Sequence, residues 1–344
     1  MSTTDTVLDV AGLTVTYSRG LGRAPLTAVS DVSFSVGRGE TVSIVGESGS
    51  GKTTIGSAIL GLQPVAGGSI RLNGADVAHL GRSARRDFRE TLQAIFQDPY
   101  SSLDPTKTIG DAVGEPLTLA ERRLPSEEIR RRVADVLRRV GLDASLMHRF
   151  PAEFSGGQRQ RIAIARAIIL KPAIVVCDEA VSALDVSVQA QVLNLLETLQ
   201  REEGVSYIFI SHNMAAVRHI SDRIVVLYRG RVMEIGAAED ICDRPAHPYT
   251  RSLLAAVPVP DVHVQRERRR LRGRTAVAAR ADVPMTGCPF APRCPFAADI
   301  CVAAPPPLIE IGGGRRVACV RINEIPAVDQ RAALEVARAG EGQR

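Results

Sequence analysis

The stretch that most constrains this chain is Gly46–Thr54, which reads Gly-Glu-Ser-Gly-Ser-Gly-Lys-Thr-Thr. It matches the pattern G-x-x-x-x-G-K-[ST], which is typical of a loop that binds phosphate groups. Its glycines let successive backbone N–H groups point toward one phosphate, and the helix that follows adds the positive end of its dipole. Residues 41–45 before it have the apolar character of a short buried strand. The motif therefore predicts a strand–loop–helix unit that binds a nucleoside triphosphate.

The choice of basic residue in this loop supports the interpretation. Lys52, Lys107 and Lys171 are the only lysines among the 43 basic residues of the chain. A compact ammonium suits a position that must reach the β- and γ-phosphates, where the wider guanidinium of arginine does not. The hydroxyl of Thr53 can in turn ligate Mg²⁺.

The composition is that of a globular protein of about two domains. The 344 residues are 45% hydrophobic and 24% charged, with a formal net charge of +5. Such a mild charge does not indicate a nucleic-acid partner, and the absence of Trp argues against a protein that stacks single-stranded bases. The first residues lack the pattern of a signal peptide and no apolar run reaches the length of a membrane span. We therefore expect a cytosolic chain with no nucleic-acid partner.

The segments around the loop divide into a β-rich part and a helical part. Residues 7–17 and 29–36 alternate apolar and polar side chains, which predicts antiparallel strands. From residue 83 to about 146 the pattern is helical and rich in arginine, with an interruption at residues 96–105. Gln97 lies at this interruption, just after a short apolar strand, where its side chain can reach a bound ion or phosphate.

Two predicted buried strands end in polar residues that can take part in catalysis or bind a ligand. Asp178 and Glu179 follow the apolar run 173–177, and His212 follows the run 207–211. Ligands of open α/β sheets bind at the carboxyl ends of the strands, and buried carboxylates are costly unless they face a cation. We therefore expect Asp178 to help hold Mg²⁺, Glu179 to act as the general base toward water, and His212 to contact phosphate.

Two features have a structural interpretation beside the functional one. Ser155 followed by Gly156 and Gly157 can form a second anion site at a helix start, or simply cap a helix that has no ligand. Tyr17 can stack on an adenine ring, or be an ordinary aromatic residue at the end of a strand. The residues themselves leave both alternatives open.

The last quarter of the chain contains four cysteines, Cys288, Cys294, Cys301 and Cys319. They lack the C-x₂₋₄-C spacing that is usual in structural zinc sites. Cysteines of a cytosolic chain are more often thiols or metal ligands than disulfides. The spacing favours an iron–sulfur cluster first, zinc second, and free thiols or disulfides third.

Taken together, these motifs resemble the nucleotide-binding subunit of an ATP-binding cassette transporter. The resemblance covers about residues 5–260, and Ser-Gly-Gly-Gln at 155–158 is its most specific motif. Residues 96–105, 182–187 and 247–249 are similar to the oligopeptide/dipeptide importer subfamily. Members of that subfamily carry a C-terminal extension like residues 261–344, in some cases with a [4Fe–4S] cluster. The Gln-Arg-Gln-Arg sequence after the signature resembles the second, F-type, of two paired ATPase subunits.

The resemblance implies an α/β fold: a phosphate-loop NTPase with a RecA-like core, an N-terminal antiparallel β subdomain, a helical subdomain and a small extension containing the cysteines. It also implies a role for each matching residue. Glu179, His212 and Gln97 would serve catalysis, and Thr53, Gln97 and Asp178 would hold Mg²⁺. Ser155, Gly156, Gly157, Gln158 and Asp185 would contact ATP held by an opposing subunit. The residues that would bind ATP directly are Tyr17, Gly46, Glu47, Ser48, Gly49, Ser50, Gly51, Lys52, Thr53, Thr54, Gln97 and Asp178.

The function implied by the resemblance is ATP hydrolysis that powers import of oligopeptides or dipeptides. The implied partners are a second ATPase subunit, expected to be a D-type paralogue, two transmembrane permease subunits and an extracytoplasmic solute-binding protein. The implied location is peripheral, on the cytoplasmic face of the inner membrane. An importer of nickel or glycosides is an alternative, and a soluble cassette ATPase of translation or DNA repair is a more distant one.

Overall fold

The computed structural model describes residues 5–20, 22–81, 84–98, 103–120, 124–256 and 286–329. Two sheets and a set of helices make up these ranges. The strands are β1 Thr6–Tyr17, β2 Leu26–Gly37, β3 Thr41–Val45, β4 Gly67–Leu72, β5 Ala75–Asp76, β6 Leu92–Ile95, β7 Ile174–Asp178, β8 Ser206–Ile210, β9 Arg223–Tyr228, β10 Arg231–Ala237, β11 Ile309–Glu310 and β12 Arg316–Val317. The helices are α1 Lys52–Ile59, α2 Ile109–Ala120, α3 Ser126–Arg139, α4 Gly156–Ile168, α5 Val186–Glu203, α6 Met214–Ile220, α7 Ala238–Asp243, α8 Pro248–Ala256 and α9 Ile300–Ala303.

The first sheet is antiparallel, with the strand order β2-β1-β4-β5. Its alternating sequence buries one face, because successive side chains of a strand point to opposite sides. Leu8, Val10 and Leu13 of β1 and Phe34 of β2 enter a core that also contains Ile55 of α1. This packing fixes the helix that follows the phosphate loop against the N-terminal sheet.

The second sheet forms the centre of the molecule, in the order β11-β12-β10-β9-β3-β8-β7-β6. The strands from β9 to β6 are parallel; the near-continuous apolar sequences of β9, β3, β8 and β7 are buried on both faces, while β6 is half-buried. Their carboxyl ends share one edge, since Ile44 aligns with Ile210, Asp178 with Ile210, and Ile95 with Cys177. The phosphate loop therefore emerges beside the polar residues that end β6, β7 and β8.

Helices α2, α3 and α4 pack together beside this sheet. Val113, Val133 and Ile162 come from the three helices and belong to one core, which continues to Phe209 of β8. α4 follows a capping box in which Ser155 accepts from the N–H of Gln158 while the Gln158 side chain accepts from the N–H of Ser155. The architecture confirms the predicted phosphate-loop α/β fold with an N-terminal antiparallel sheet and a helical subdomain.

The cysteine-containing segment is joined to the cassette through the central sheet. β12 pairs antiparallel with β10, and Arg315 beside it forms an ion pair with the fully buried Glu234 of β10. The predicted domain boundary at 260/261 lies outside the described residues and stays a prediction. Among the helices that the structure describes, none combines the length and the apolar character needed to cross a bilayer.

Candidate nucleotide-binding site

The loop after β3 is shaped by close backbone contacts that exclude larger residues. A Cβ on Gly46 would lie 2.1 Å from the carbonyl oxygen of Leu227, and one on Gly51 would lie 2.7 Å from that of Ala28. Gly51 also has φ +102°, which side chains disfavour. The buried Ser50 Oγ has no hydrogen-bond partner within the described part of the chain. A buried hydroxyl of this kind calls for a ligand, which a phosphate oxygen can provide.

Lys52 lies at the start of α1 and points back into the loop. Its Nζ donates to the carbonyl oxygens of Gly46 at 3.0 Å and Glu47 at 2.9 Å. The residue is only 5% exposed, and burial lowers its pKa, against the opposing effect of Glu179 and Asp178. The loop thus surrounds a largely desolvated ammonium, a strong partner for an anionic ligand.

Thr53 and Asp178 bring a hydroxyl and a carboxylate together at the end of β7. Thr53 Oγ1 lies 3.3 Å from Asp178 Oδ1 and donates to it. Burial raises the pKa of Asp178, although the hydrogen bond from Thr53 opposes this. A desolvated carboxylate beside a hydroxyl is an oxygen donor set that suits Mg²⁺, so the pair fits the predicted ion.

Glu179 is held in an uncommon backbone conformation next to Asp178. Its φ is +50°, and its N–H donates to the carbonyl oxygen of Ile210 at 2.9 Å. Its Oε1 lies 3.3 Å from Nδ1 of His212, which follows β8. A non-glycine residue at positive φ stores strain, and such strain is concentrated at functional sites. The carboxylate and the imidazole of this pair face the same edge of the sheet.

Two further predicted residues lie at the borders of this group. Gln97 is exposed and follows β6, the neighbour of β7 that carries Asp178. Tyr17 ends β1, and its hydroxyl is 3.2 Å from Thr54 Oγ1 beside the phosphate loop. Tyr17 is 37% exposed, so part of the residue is accessible to a ligand.

The signature segment forms a separate group. The start of α4 packs on the start of α5, where a Cβ on Gly157 would meet Val188 Cγ1 at 2.5 Å. Asp185 caps α5 by accepting from the N–H of Val188 at 2.9 Å. No hydrogen bond among the described residues joins 155–158 to the phosphate loop. The chain therefore contains two groups of predicted site residues, one around the phosphate loop and one around the signature segment. The roles of both groups toward ATP stay predictions.

The cysteines of the extension face a common space. Cys288, Cys294, Cys301 and Cys319 all line one cavity, together with the buried His247. The cavity measures about 20 Å³, which is room for about one water molecule. In the described residues, no three His, Cys, Asp or Glu side chains are placed to hold a metal ion. The four thiols therefore share one cavity, and the cluster or zinc that they would hold stays a prediction.

Sequence reasoning missed two residues that contact the phosphate loop, Tyr249 and Arg293, and a third, Tyr228, that contacts Arg293. Tyr249 Oη accepts from the N–H of Glu47 at 2.9 Å, and Arg293 donates to the carboxylate of Glu47 and to Tyr228 Oη. These residues lie on β9, on α8 and in the extension, far from the loop in the sequence. No periodicity or spacing could have identified them, because only the tertiary packing brings these distant segments together.

Comparisons with known proteins agree with this fold. Residues 29–182 match the family described as ABC transporter, and residues 233–301 match "Oligopeptide/dipeptide transporter, C-terminal region". A putative peptide import ATP-binding protein of Brucella ovis is 47% identical over 317 residues, which cover 92% of this chain and 98% of that relative. The oligopeptide transport ATP-binding protein OppF of Salmonella typhimurium is 44% identical over 302 residues, covering 87% of this chain and 89% of OppF.

A solved structure extends the comparison to three dimensions. It is a dimeric, post-hydrolysis state of an ATP-binding cassette bound to ADP and Pi, with a TM-score of 0.61 and 29% identity. The match covers 67% of this chain and 98% of that cassette. This chain therefore belongs to the ABC transporter family, among the ATP-binding proteins that carry the oligopeptide/dipeptide C-terminal region.

Proposed function

We propose that this chain is an ATPase that powers peptide import as the nucleotide-binding subunit of a multi-subunit transporter. The observation that carries the proposal is the convergence of Lys52, Thr53, Asp178, Glu179 and His212 at one sheet edge. The family and the names of the relatives supply the substrate class, since relatives 44–47% identical over most of their length are named for peptide import.

The arrangement supports hydrolysis of the γ-phosphate. Backbone N–H groups of the loop and Lys52 bind the phosphates, and Thr53 with Asp178 would hold Mg²⁺, which when bound neutralises phosphate charge. Glu179 accepts a proton from the attacking water. As the water oxygen forms a bond to the γ-phosphorus, the bond from that phosphorus to the bridging oxygen, which leaves with ADP, breaks. His212, 3.3 Å from Glu179, donates a hydrogen bond to the γ-phosphate oxygen.

The second group of residues supports a site shared between two subunits. Ser155–Gln158 and Asp185 lie apart from the phosphate loop of their own chain, although their motif is the most specific one in the sequence. We infer that they close over ATP bound to an opposing nucleotide-binding subunit. That subunit is proposed to be a paralogue, and the pair would drive two permeases that receive peptide from a solute-binding protein. The assembly would place this chain on the cytoplasmic face of the inner membrane.

Reconstitution tests this function directly. The chain should copurify with two membrane subunits encoded beside its own gene, and proteoliposomes of the complex should import labelled oligopeptides in an ATP-dependent manner. Uptake of nickel or a glycoside without peptide uptake would select the alternative solute. Association with ribosomes or DNA, and with no membrane subunit, would contradict the transport function.

The iron–sulfur cluster stays a prediction from the resemblance. The shared cavity of the four cysteines supports it, whereas the small size of that cavity does not. If a cluster is present, anaerobically purified protein should be brown and contain about four iron atoms per chain. Cys288→Ser should then lose the colour and the iron, while Cys242→Ser, outside the cavity, should keep both. Stoichiometric zinc, or no metal, would exclude the cluster.

A further inference from the structure

The extension reaches the phosphate loop through one arginine. Arg293 donates from both terminal nitrogens to the carboxylate of Glu47, at 2.9 and 3.0 Å. A bidentate arginine–carboxylate contact fixes the geometry of both side chains as well as their separation. Glu47 is the second residue of the phosphate loop, so the contact joins residue 293 to the start of that loop, 246 positions earlier in the chain.

The backbone of Glu47 is fixed from two other directions. Its N–H donates to Tyr249 Oη, and its carbonyl oxygen accepts from Lys52 Nζ. The side chain is therefore the part of Glu47 that these two contacts leave unconstrained, and Arg293 binds it. Changes at Arg293 should act on the loop position that also contacts the phosphate-binding lysine.

An aromatic cluster packs against Arg293. Phe290 of the extension is 1% exposed and lies edge-on to Tyr228, with ring centroids 5.5 Å apart, and 5.4 Å from Tyr249. The guanidinium of Arg293 lies 5.6 Å from the Phe290 centroid and 5.8 Å from that of Tyr228. Packing of this kind orders the aliphatic part of the arginine side chain. An isolated surface ion pair lacks such packing.

The supporting segment is a single turn bounded by two cavity cysteines. The N–H of Ala291 donates to the carbonyl of Cys288, and the N–H of Cys294 donates to the carbonyl of Ala291. Arg293 directly precedes Cys294 in this turn. Arg293, which contacts the loop, and two of the four cavity cysteines thus belong to one short hydrogen-bonded segment.

We propose that Arg293 is a positioning residue of the phosphate loop, through which the cysteine-containing extension contributes to ATP binding. The proposal rests on the proposed role of residues 46–54 in binding ATP. Arg293 holds the Glu47 side chain away from the loop interior and neutralises a carboxylate that would otherwise repel the phosphates. The extension is accordingly a part of the nucleotide site as well as an appendage of the cassette.

Steady-state kinetics of the full chain separate this role from a structural one. Arg293→Ala should raise the KM and the Kd for ATP by about two- to fivefold, the range of a half-exposed ion pair, with a smaller effect on kcat. Arg293→Lys should retain most of the affinity. Arg131→Ala, which removes an exposed ion pair with Glu128 on α3, is the matched control.

A double variant tests the electrostatic part of the argument. In Glu47→Gln/Arg293→Ala no uncompensated carboxylate faces the phosphates, so affinity should return toward the wild-type value. The penalty of Arg293→Ala alone should also shrink at high salt, because exposed charges are screened. A double variant as weak as the sum of its single variants would contradict this reasoning.

Hydrogen exchange supplies a readout that does not depend on turnover. Coupling between two sites is reciprocal, so ATP should slow amide exchange in residues 287–295 of the wild-type chain and not in Arg293→Ala. An unchanged Kd in a folded Arg293→Ala protein, with ATP protection of 287–295 retained, would overturn the proposal. If Lys52→Met also left ATP binding unchanged, the role of the loop itself would fail instead.

Discussion

Replacing Glu179 with glutamine should lower kcat for ATP hydrolysis by about 10²- to 10⁴-fold, the usual contribution of a general base. Glutamine keeps the size of the side chain but cannot accept the proton of the attacking water. Glu179 lies 3.3 Å from His212 at the edge where the phosphate loop ends, and its backbone is held at φ +50°. Phosphate release under saturating ATP measures the loss.

Binding must survive in this variant for the assignment to hold. Glu179→Gln removes a negative charge near the phosphates, so ATP should bind at least as tightly as in the wild type, as titration calorimetry can show. Glu128→Gln, a change at a partly exposed glutamate of α3, is the matched control and should hydrolyse ATP normally. Near-normal turnover in Glu179→Gln would show that Glu179 is not the general base.

Replacing Lys52 with methionine should weaken ATP binding by at least about thirtyfold, since truncating a buried, hydrogen-bonded charge costs ~2–5 kcal/mol. Methionine keeps an unbranched apolar stem, so the packing at the start of α1 is largely preserved. What is lost is the ammonium that contacts Gly46 and Glu47 and meets the phosphates. Equilibrium binding of a fluorescent ATP analogue measures the effect.

The remaining lysines provide the control for this change. Lys107 forms a partly exposed ion pair with Glu115 on α2, far from the loop in the sequence, so Lys107→Met should leave ATP affinity within about twofold. Both variants should be checked by thermal unfolding. If Lys52→Met is folded and binds ATP as the wild type does, the loop is not the triphosphate site.

The parts of the site that sequence predicted well depend on local interactions. Gly46 and Gly51 are required by close backbone contacts, and the motif places Lys52 and Thr53 at the start of a helix. Asp178 and Glu179 end a strand, and all parallel strands end at the same edge, so their meeting with Thr53 and His212 followed from the order of elements. Ser155 was predicted to begin a helix, and it caps α4 through the capping box with Gln158, as both interpretations of that segment require.

The cysteines show what such reasoning leaves open. Their spacing favoured a cluster, yet the structure gives the four thiols a cavity of about 20 Å³ and no three ligands placed for a metal ion. Spacing fixes how far apart residues can be along the chain, but not how closely their side chains approach. That distance depends on the packing of the extension against β10 and α8.

The sequence by itself determined the phosphate loop, the strand ends and the capped helix, because each is set by residues within a few positions of one another. Only the tertiary structure decided that Arg293 and Phe290 of the extension meet Glu47, Tyr228 and Tyr249. The physical reason is that these contacts join segments far apart in the chain, and their energy comes from burying an aromatic cluster that no single segment contains. The phosphate loop is thus contacted by the extension, although the cysteine motif of the extension indicated metal binding and not a role in the nucleotide site.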